Sequence, residues 1–189
     1  MSTLSNLYMG SFGFMYLFWG FFWILPAAYL VLRWRAYREQ SPIDTQLGLK
    51  AALYYFKTLA YHVLLGAGFC LLFGLLSSQV RGELVRLALG LALGGGLIYG
   101  ALCVLIDKYT NTNQHTSVAR LFNGFNLVVC GLLAMAAVIG FFALVVQRNT
   151  PGAVLKGFIA LAVVYGPAAA AQAFYLHRRT DLPEKMSQV

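Results

Sequence analysis

The sequence predicts an all-α, polytopic integral membrane helical bundle with five transmembrane helices, folded as one transmembrane domain over residues 1–189. The chain is 60% hydrophobic and 11% charged, with a mean hydropathy of +0.70. Soluble domains are about 25% charged, so this composition requires lipid as solvent. The apolar residues fall in five runs, each close to the ~20 residues that a helix needs to cross a bilayer. They cover about 11–32, 59–76, 87–106, 125–146 and 153–176.

The first apolar run has the features of a retained membrane anchor. No Lys or Arg precedes Arg33, whereas a cleaved signal peptide begins with a basic segment. Aromatic side chains occur almost all round the helix, as is typical of lipid and interface contact. An aromatic-lined ligand groove is the alternative interpretation. Pro26 is expected to kink this helix.

A helix start signal precedes the second run. Ser41 is suited to the N-cap, Pro42 to the first helical position and Asp44 to the first turn. The only weak breaker that follows is Gly48, which a helix tolerates. We therefore predict an interfacial helix over about 42–58, on the cytoplasmic side, that continues into the second span.

One face of this long helix, which runs from the interface into the second span, combines amines with phenol rings, at Lys50, Tyr54, Lys57 and Tyr61. Lysines that extend to the headgroups beside an aromatic belt would give this pattern. A contact for an anionic lipid or solute would give it as well.

Small residues recur at helical spacing, most densely in the third run. Gly90 and Gly94 are one turn apart, as are Gly96 and Gly100. In lipid, small-xxx-small spacing lets two helix backbones approach closely. Together with two glycines of the second span, the predicted helix-packing positions are Gly66, Gly74, Gly90, Gly94, Gly96 and Gly100.

Four polar side chains inside the apolar runs form a candidate intramembrane polar site: His62, Asn126, Tyr165 and Gln172. Polar and ionisable groups inside a membrane are candidates for function, although a hydrogen-bonded structural histidine is the alternative at His62. Gly166-Pro167 is expected to break or bend the fifth helix. A broken helix lines a cavity in many transporters, whereas neighbouring helices fill a plain proline kink.

Basic residues are distributed unequally between the two sides of the predicted bundle. Ten Lys and Arg fall in the segment 33–57, the loop 107–122 and the C-terminal tail, and four fall on the other side. By the positive-inside rule, the N-terminus is outside and the C-terminus cytoplasmic, in a plasma or inner membrane.

The residue pattern argues against catalysis, metal binding and nucleic-acid binding. The sequence has no metal-ligand spacing and no catalytic triad signature, and its basic residues lie between apolar runs. The leading hypothesis is a non-enzymatic component of a homo- or hetero-oligomeric membrane assembly, with the lipid bilayer and other subunits as partners. One alternative is a channel or carrier for a small neutral or lipidic solute. Another is a haem-binding redox subunit, with His62 and His177 as the plausible ligand pair; otherwise no cofactor is expected.

Overall fold

The computed structural model describes residues 24, 26–34, 37–38, 46–77, 80–110, 116–147 and 152–180, and every regular element in these ranges is a helix. Helix α1 comprises residues 26–34. The longer helices are α2 (Leu47–Leu76), α3 (Arg81–Tyr109), α4 (Thr116–Val146) and α5 (Gly152–Thr180). The all-α prediction is confirmed for this part of the chain. Most of the predicted first span at 11–32, and the helix start at Ser41, lie outside the described residues.

Helices α2 to α5 are each long and apolar enough to cross a membrane. Large apolar side chains cover their outer faces; Leu93 and Leu97 of α3, for example, are 69% and 76% exposed. Such a surface is unfavourable in water and favourable against lipid chains. These four helices correspond to four of the five predicted spans, and they fit a multi-pass membrane protein.

The helices extend beyond the apolar runs that predicted them. Helix α2 is continuous over 30 residues, so the part of the interfacial helix that the structure describes and the second span are one element. Helix α4 begins at Thr116, nine residues before the predicted start of its span. Residues such as Arg120 and Asn123 are polar without breaking helical backbone geometry, so an apolar boundary does not mark a helix end. At ~1.5 Å per residue, each of the four helices is roughly 45 Å long.

The bundle consists of two helical hairpins, α2–α3 and α4–α5, which meet through α2. Helix α2 also packs against α4 and α5, whereas α3 packs only against α2 among the described long helices. Helix α1 packs against the bundle where α2 and α4 begin: Ala28 and Leu32 join a buried cluster with Tyr55 of α2 and Phe122 of α4. We call this end of the bundle the basic end, because it carries Lys50, Lys57, Lys108, Arg120 and Arg178.

The glycines of α3 do not all face its neighbour. A β-carbon added at Gly90, Gly94, Gly96 or Gly100 would meet no atom within 4 Å in the described chain. Helix α2 instead packs on Gly95, where an added β-carbon would lie 3.0 Å from Val63 Cγ1. Successive helix positions are ~100° apart, so the face that carries Gly95 turns the paired glycines away from α2. Packing of these four against a second chain stays a prediction.

The two predicted packing glycines of α2 differ from each other. Gly74 lies against the first turns of α3, where an added β-carbon would be 3.1 Å from Leu84 Cβ. At Gly66, an added β-carbon would meet nothing within 4 Å among the described residues. Gly74 therefore marks the close approach of the α2–α3 hairpin near its loop.

Helix α5 is not broken at Gly166-Pro167. It remains helical from Gly152 to Thr180 with Pro167 inside it, so of the two expected outcomes a break is excluded, while a bend stays a prediction. Proline removes a single backbone hydrogen bond, and neighbouring helices in a bundle tolerate that loss. Tyr165 and Ala168, on either side of this dipeptide, are buried with Cys130 of α4. For Pro26, the residues needed to define a kink lie outside the described part.

Candidate functional site

A cavity of about 280 Å³ lies among α2, α3, α4 and α5. Its wall is unusual for a membrane interior, because polar and aromatic side chains outnumber aliphatic ones. Helix α2 contributes one face with helical spacing, α4 and α5 contribute short segments, and α3 contributes a single residue. The lining residues are Tyr54, Lys57, Thr58, Tyr61, Tyr99, Phe122, Asn123, Asn126, Ala171, Gln172 and Tyr175.

The cavity lies nearer to the basic end than to the opposite end. Lys57, Tyr99 and Asn126 are each ten residues from the basic end of their helices, and Gln172 is eight. Ten residues correspond to ~15 Å along a helix. If the ~30 Å hydrocarbon core is centred on these helices, the site lies roughly 7 Å inside its boundary, about halfway to the midplane.

Lys57 is the cation of this cavity. Its Nζ lies 5.4 Å from the centroid of the Tyr99 ring and 5.8 Å from that of Tyr54, so two aromatic faces of adjacent helices flank the ammonium group. Its amine also contacts the Cys103 thiol. Among the described residues that line the cavity, none carries a carboxylate. The positive charge is therefore held by ring quadrupoles and weak dipoles rather than by a counter-ion.

Amide side chains form the wall opposite Lys57. Asn126 is only 5% exposed, and its Oδ1 has no hydrogen-bond partner among the residues that the structure describes. The Asn126 side chain also lies against the His62 imidazole of α2. Gln172 of α5 is hydrogen-bonded to the Tyr61 hydroxyl of α2. A buried amide oxygen without a donor is unfavourable, so this wall is suited to a ligand that supplies one.

The structure brings together residues from two separately predicted sets. Tyr54, Lys57 and Tyr61 come from the predicted lipid or anion contact. Asn126 and Gln172 come from the predicted intramembrane polar site. The sets meet because α2, α4 and α5 pack with these positions at one depth.

The remaining predicted residues lie elsewhere. Lys50 is 3% exposed and outside the cavity, two turns before Lys57, so its amine does not extend from the surface of this part of the chain. His62 lies behind the wall, with its ring 5.6 Å from the Tyr61 ring in an edge-on arrangement. Tyr165 is buried with Cys130 and Ala168 one layer deeper.

Four polar lining residues were not among the predicted site residues: Thr58, Tyr99, Asn123 and Tyr175. One signal was available for Tyr99, which is the only aromatic residue between Leu87 and Asp107. A single phenol in a glycine-rich, aliphatic helix suggests a specific contact for that ring. No comparable signal marked Tyr175, because its neighbours Phe174 and His177 make that segment aromatic and polar throughout.

Among the described residues, no packing between α3 and α5 closes this side of the cavity. These two helices do not pack against each other in the described structure, yet Tyr99 of α3 and Tyr175 of α5 both line the cavity. Ala171 and Tyr175 of α5 both line the cavity and are exposed. Within the described ranges, this gap between α3 and α5 therefore opens the polar cavity towards the outer surface of the bundle.

Other features of the described chain offer less for chemistry. A second, apolar cavity of about 340 Å³ lies between α2 and α5 at the opposite end, lined by Phe69, Phe73 and Phe158 among others. No group of three His, Cys, Asp or Glu side chains that could hold a metal occurs within the described ranges. His177, the second candidate haem ligand, is exposed near the end of α5.

Comparison with protein-family models, curated proteins and solved structures finds no match to this chain.

Proposed function

We propose that this protein is a non-enzymatic multi-pass membrane protein that takes up a small polar or lipidic solute in the cavity among α2 to α5, as a channel or carrier does. The observation that supports the proposal is the composition of the wall: four phenols, three amide or hydroxyl side chains on α2 and α4, Gln172 and one lysine, all inside an apolar bundle. Polar groups at membrane depth are costly unless they contact one another, water or a ligand. A wall that combines so many of them is suited to reversible binding.

A water-accessible cavity is the first requirement of this proposal. We would replace Cys70, Cys103 and Cys130 with Ala and introduce Ala171→Cys into the cavity wall. A membrane-impermeant, water-soluble thiol reagent should modify this cysteine in proteoliposomes. Val138→Cys, on an exposed apolar face of α4, and Ala160→Cys, at a fully buried position, are the matched controls and should remain unmodified.

The same experiment reports orientation. We propose that the N-terminus is outside and that the basic end, with the cavity, is cytoplasmic. In inside-out vesicles, the reagent then reaches Ala171→Cys from the exterior, whereas in right-side-out vesicles it does not. Absence of modification in both preparations, with the folded protein intact, would exclude a solvent-accessible site.

A second candidate function is a packed component of a homo- or hetero-oligomeric membrane assembly. Helix α3 supports it, because among the described long helices α3 packs only against α2 and leaves its four paired glycines, Gly90, Gly94, Gly96 and Gly100, uncovered. Small residues at i and i+4 on an open helix face are the usual contact of associating transmembrane helices. Native mass spectrometry from mild detergent should then show a mass above that of one chain, and a strictly monomeric protein would contradict the assembly.

A further inference from the structure

The polar cavity has one cation, one buried acceptor without a donor, and an opening towards lipid. Lys57 is flanked by Tyr54 and Tyr99 and has no carboxylate beside it in the described wall. Asn126 is nine-tenths buried and lines the same cavity with an Oδ1 that lacks a hydrogen-bond donor there. A ligand that satisfies both groups has an oxyanion at one end and a hydrogen-bond donor at the other.

We propose that this cavity binds a phosphoglycerol group, an inference that rests on the proposed function of the same site. The phosphate accepts hydrogen bonds from the Lys57 ammonium and the Tyr hydroxyls, which are strong charge-assisted contacts. The glycerol hydroxyl donates to Asn126 Oδ1. The cavity volume of about 280 Å³ accommodates a headgroup and excludes a whole lipid.

The opening between α3 and α5 favours a phospholipid headgroup over a free phosphate ester as the source of this group. A lipid that enters there keeps its acyl chains in the bilayer, against the exposed apolar side chains on the outer surface of the bundle. The cavity also lies in the half of the hydrocarbon core nearer the basic end, roughly 7 Å from the headgroup layer. Tyr99 and Tyr175, with a polar hydroxyl on an apolar ring, line the cavity at this opening.

The test measures the thermal stability of the purified, full-length protein in dodecyl maltoside while four probes are added. Dioctanoyl-phosphatidylglycerol represents the lipid source and sn-glycerol 3-phosphate the free ester. Dioctanoyl-phosphatidylcholine, which lacks the hydroxyl donor and the net negative charge, and glycerol are the controls. We expect saturable stabilisation by dioctanoyl-phosphatidylglycerol and none by the controls. Stabilisation by sn-glycerol 3-phosphate alone would assign the same site to a soluble ester.

Substitutions identify the residues that bind the probe. Lys57→Gln should weaken the probe's apparent affinity by about tenfold or more, because it removes a charge-assisted contact. Lys57→Arg should retain binding. Lys156→Gln removes one exposed lysine of α5 at the opposite end and should change nothing. If Lys57→Gln does not fold, the comparison of the two dioctanoyl lipids on the unmodified protein decides the question.

Two outcomes would overturn the inference. One is equal stabilisation by the phosphatidylglycerol and phosphatidylcholine probes, and the other is undiminished binding in folded Lys57→Gln. Failure of this inference is distinguishable from failure of the proposed function. If Ala171→Cys is modified but no phosphoglycerol probe stabilises the protein, the cavity remains a site for a solute of another kind. If Ala171→Cys is not modified, both the proposed function and this inference fail.

Discussion

The Lys57 ammonium of α2 lies 5.4 Å from the ring centroid of Tyr99 of α3, and this contact joins α3 to the α2 wall of the cavity. A cation over an aromatic ring contributes ~0.5–1 kcal/mol when exposed and ~2 kcal/mol when desolvated. The pair also orients the amine towards the space that we assign to a ligand. The contribution of this pair can be compared with that of an exposed pair of the same type on α3, in which Lys108 Nζ lies 5.7 Å from the ring centroid of Tyr109.

Tyr99→Leu should lower the free energy of unfolding in detergent by about 1–2 kcal/mol, because it removes the ring that faces Lys57. Tyr99→Phe keeps the ring and should cost far less. Tyr109→Leu is the matched control and should change stability by under ~0.5 kcal/mol, since Tyr109 is exposed. Unfolding followed by circular dichroism in a denaturing detergent titration measures all three. Equal losses for Tyr99→Leu and Tyr109→Leu would contradict a special role for the cavity pair.

Neighbouring glycines of α3 should respond in opposite ways to the same substitution. Gly95→Leu places a side chain against Val63 and Leu64, where the first added carbon is already 3.0 Å and 3.4 Å from their atoms. We expect a loss of ~1–3 kcal/mol from overpacking, despite the gain in helix propensity. Gly94→Leu meets open space and should leave the single chain at least as stable as before.

The Gly94→Leu variant also tests the assembly. If chains associate through the open glycine face, this substitution should reduce the oligomer seen by native mass spectrometry without unfolding the chain. Unchanged oligomer mass would show that another surface makes the contact.

Gly140 of α4 and Phe158 of α5 should show compensating substitutions. A β-carbon at Gly140 would overlap the Phe158 ring, so Gly140→Leu should destabilise the α4–α5 hairpin by at least ~1–3 kcal/mol. Adding Phe158→Ala should recover part of that loss, because the two sites share one space and are therefore non-additive. Gly131→Leu on the same helix, where an added β-carbon meets nothing within 4 Å, is the control. A strictly additive double variant would argue against direct contact.

Asn126→Leu should separate stability from binding. The Asn126 Oδ1 is buried without a donor among the described residues, so this amide lowers the free energy of unfolding of the unliganded protein by ~1–3 kcal/mol. Loss of its contact with His62 offsets this by ~0.6 kcal/mol, the average for polar contacts in membrane bundles. We therefore expect the unliganded variant to be more stable by about 1 kcal/mol and to bind phosphatidylglycerol more weakly. A clear fall in stability would assign Asn126 a structural role instead.

Much of the architecture follows from local patterns. Apolar runs of sufficient length specified the helices, and the tolerance of a helix for Gly48 correctly indicated that α2 would be continuous. Helix ends were less accurate, since polar residues such as Arg120 extend α4 without breaking it. Spacing alone also selected Gly90 and Gly94 rather than Gly95, because it does not indicate which side of α3 a neighbour occupies.

The cavity was predictable only in part. Spacing along α2 placed Tyr54, Lys57 and Tyr61 on one face, and polarity alone selected Asn126 and Gln172 as unusual residues of their spans. That these groups surround a single space could not be inferred, because the relative depth and rotation of separate helices depend on contacts that are distant in sequence.

The sequence by itself determined the number of long helices in the described part and that each is apolar enough to cross a membrane. The reason is that apolar content and the satisfaction of backbone amides within a helix are properties of each segment alone. The tertiary structure decided which faces meet. Among the described residues, it placed Lys57 between two rings, enclosed Asn126 without a donor, and covered Gly95 of α3 while it left the paired glycines uncovered. The physical reason is that helices in lipid associate through close packing and a few polar contacts, and these depend on the matching of whole surfaces rather than on any single segment.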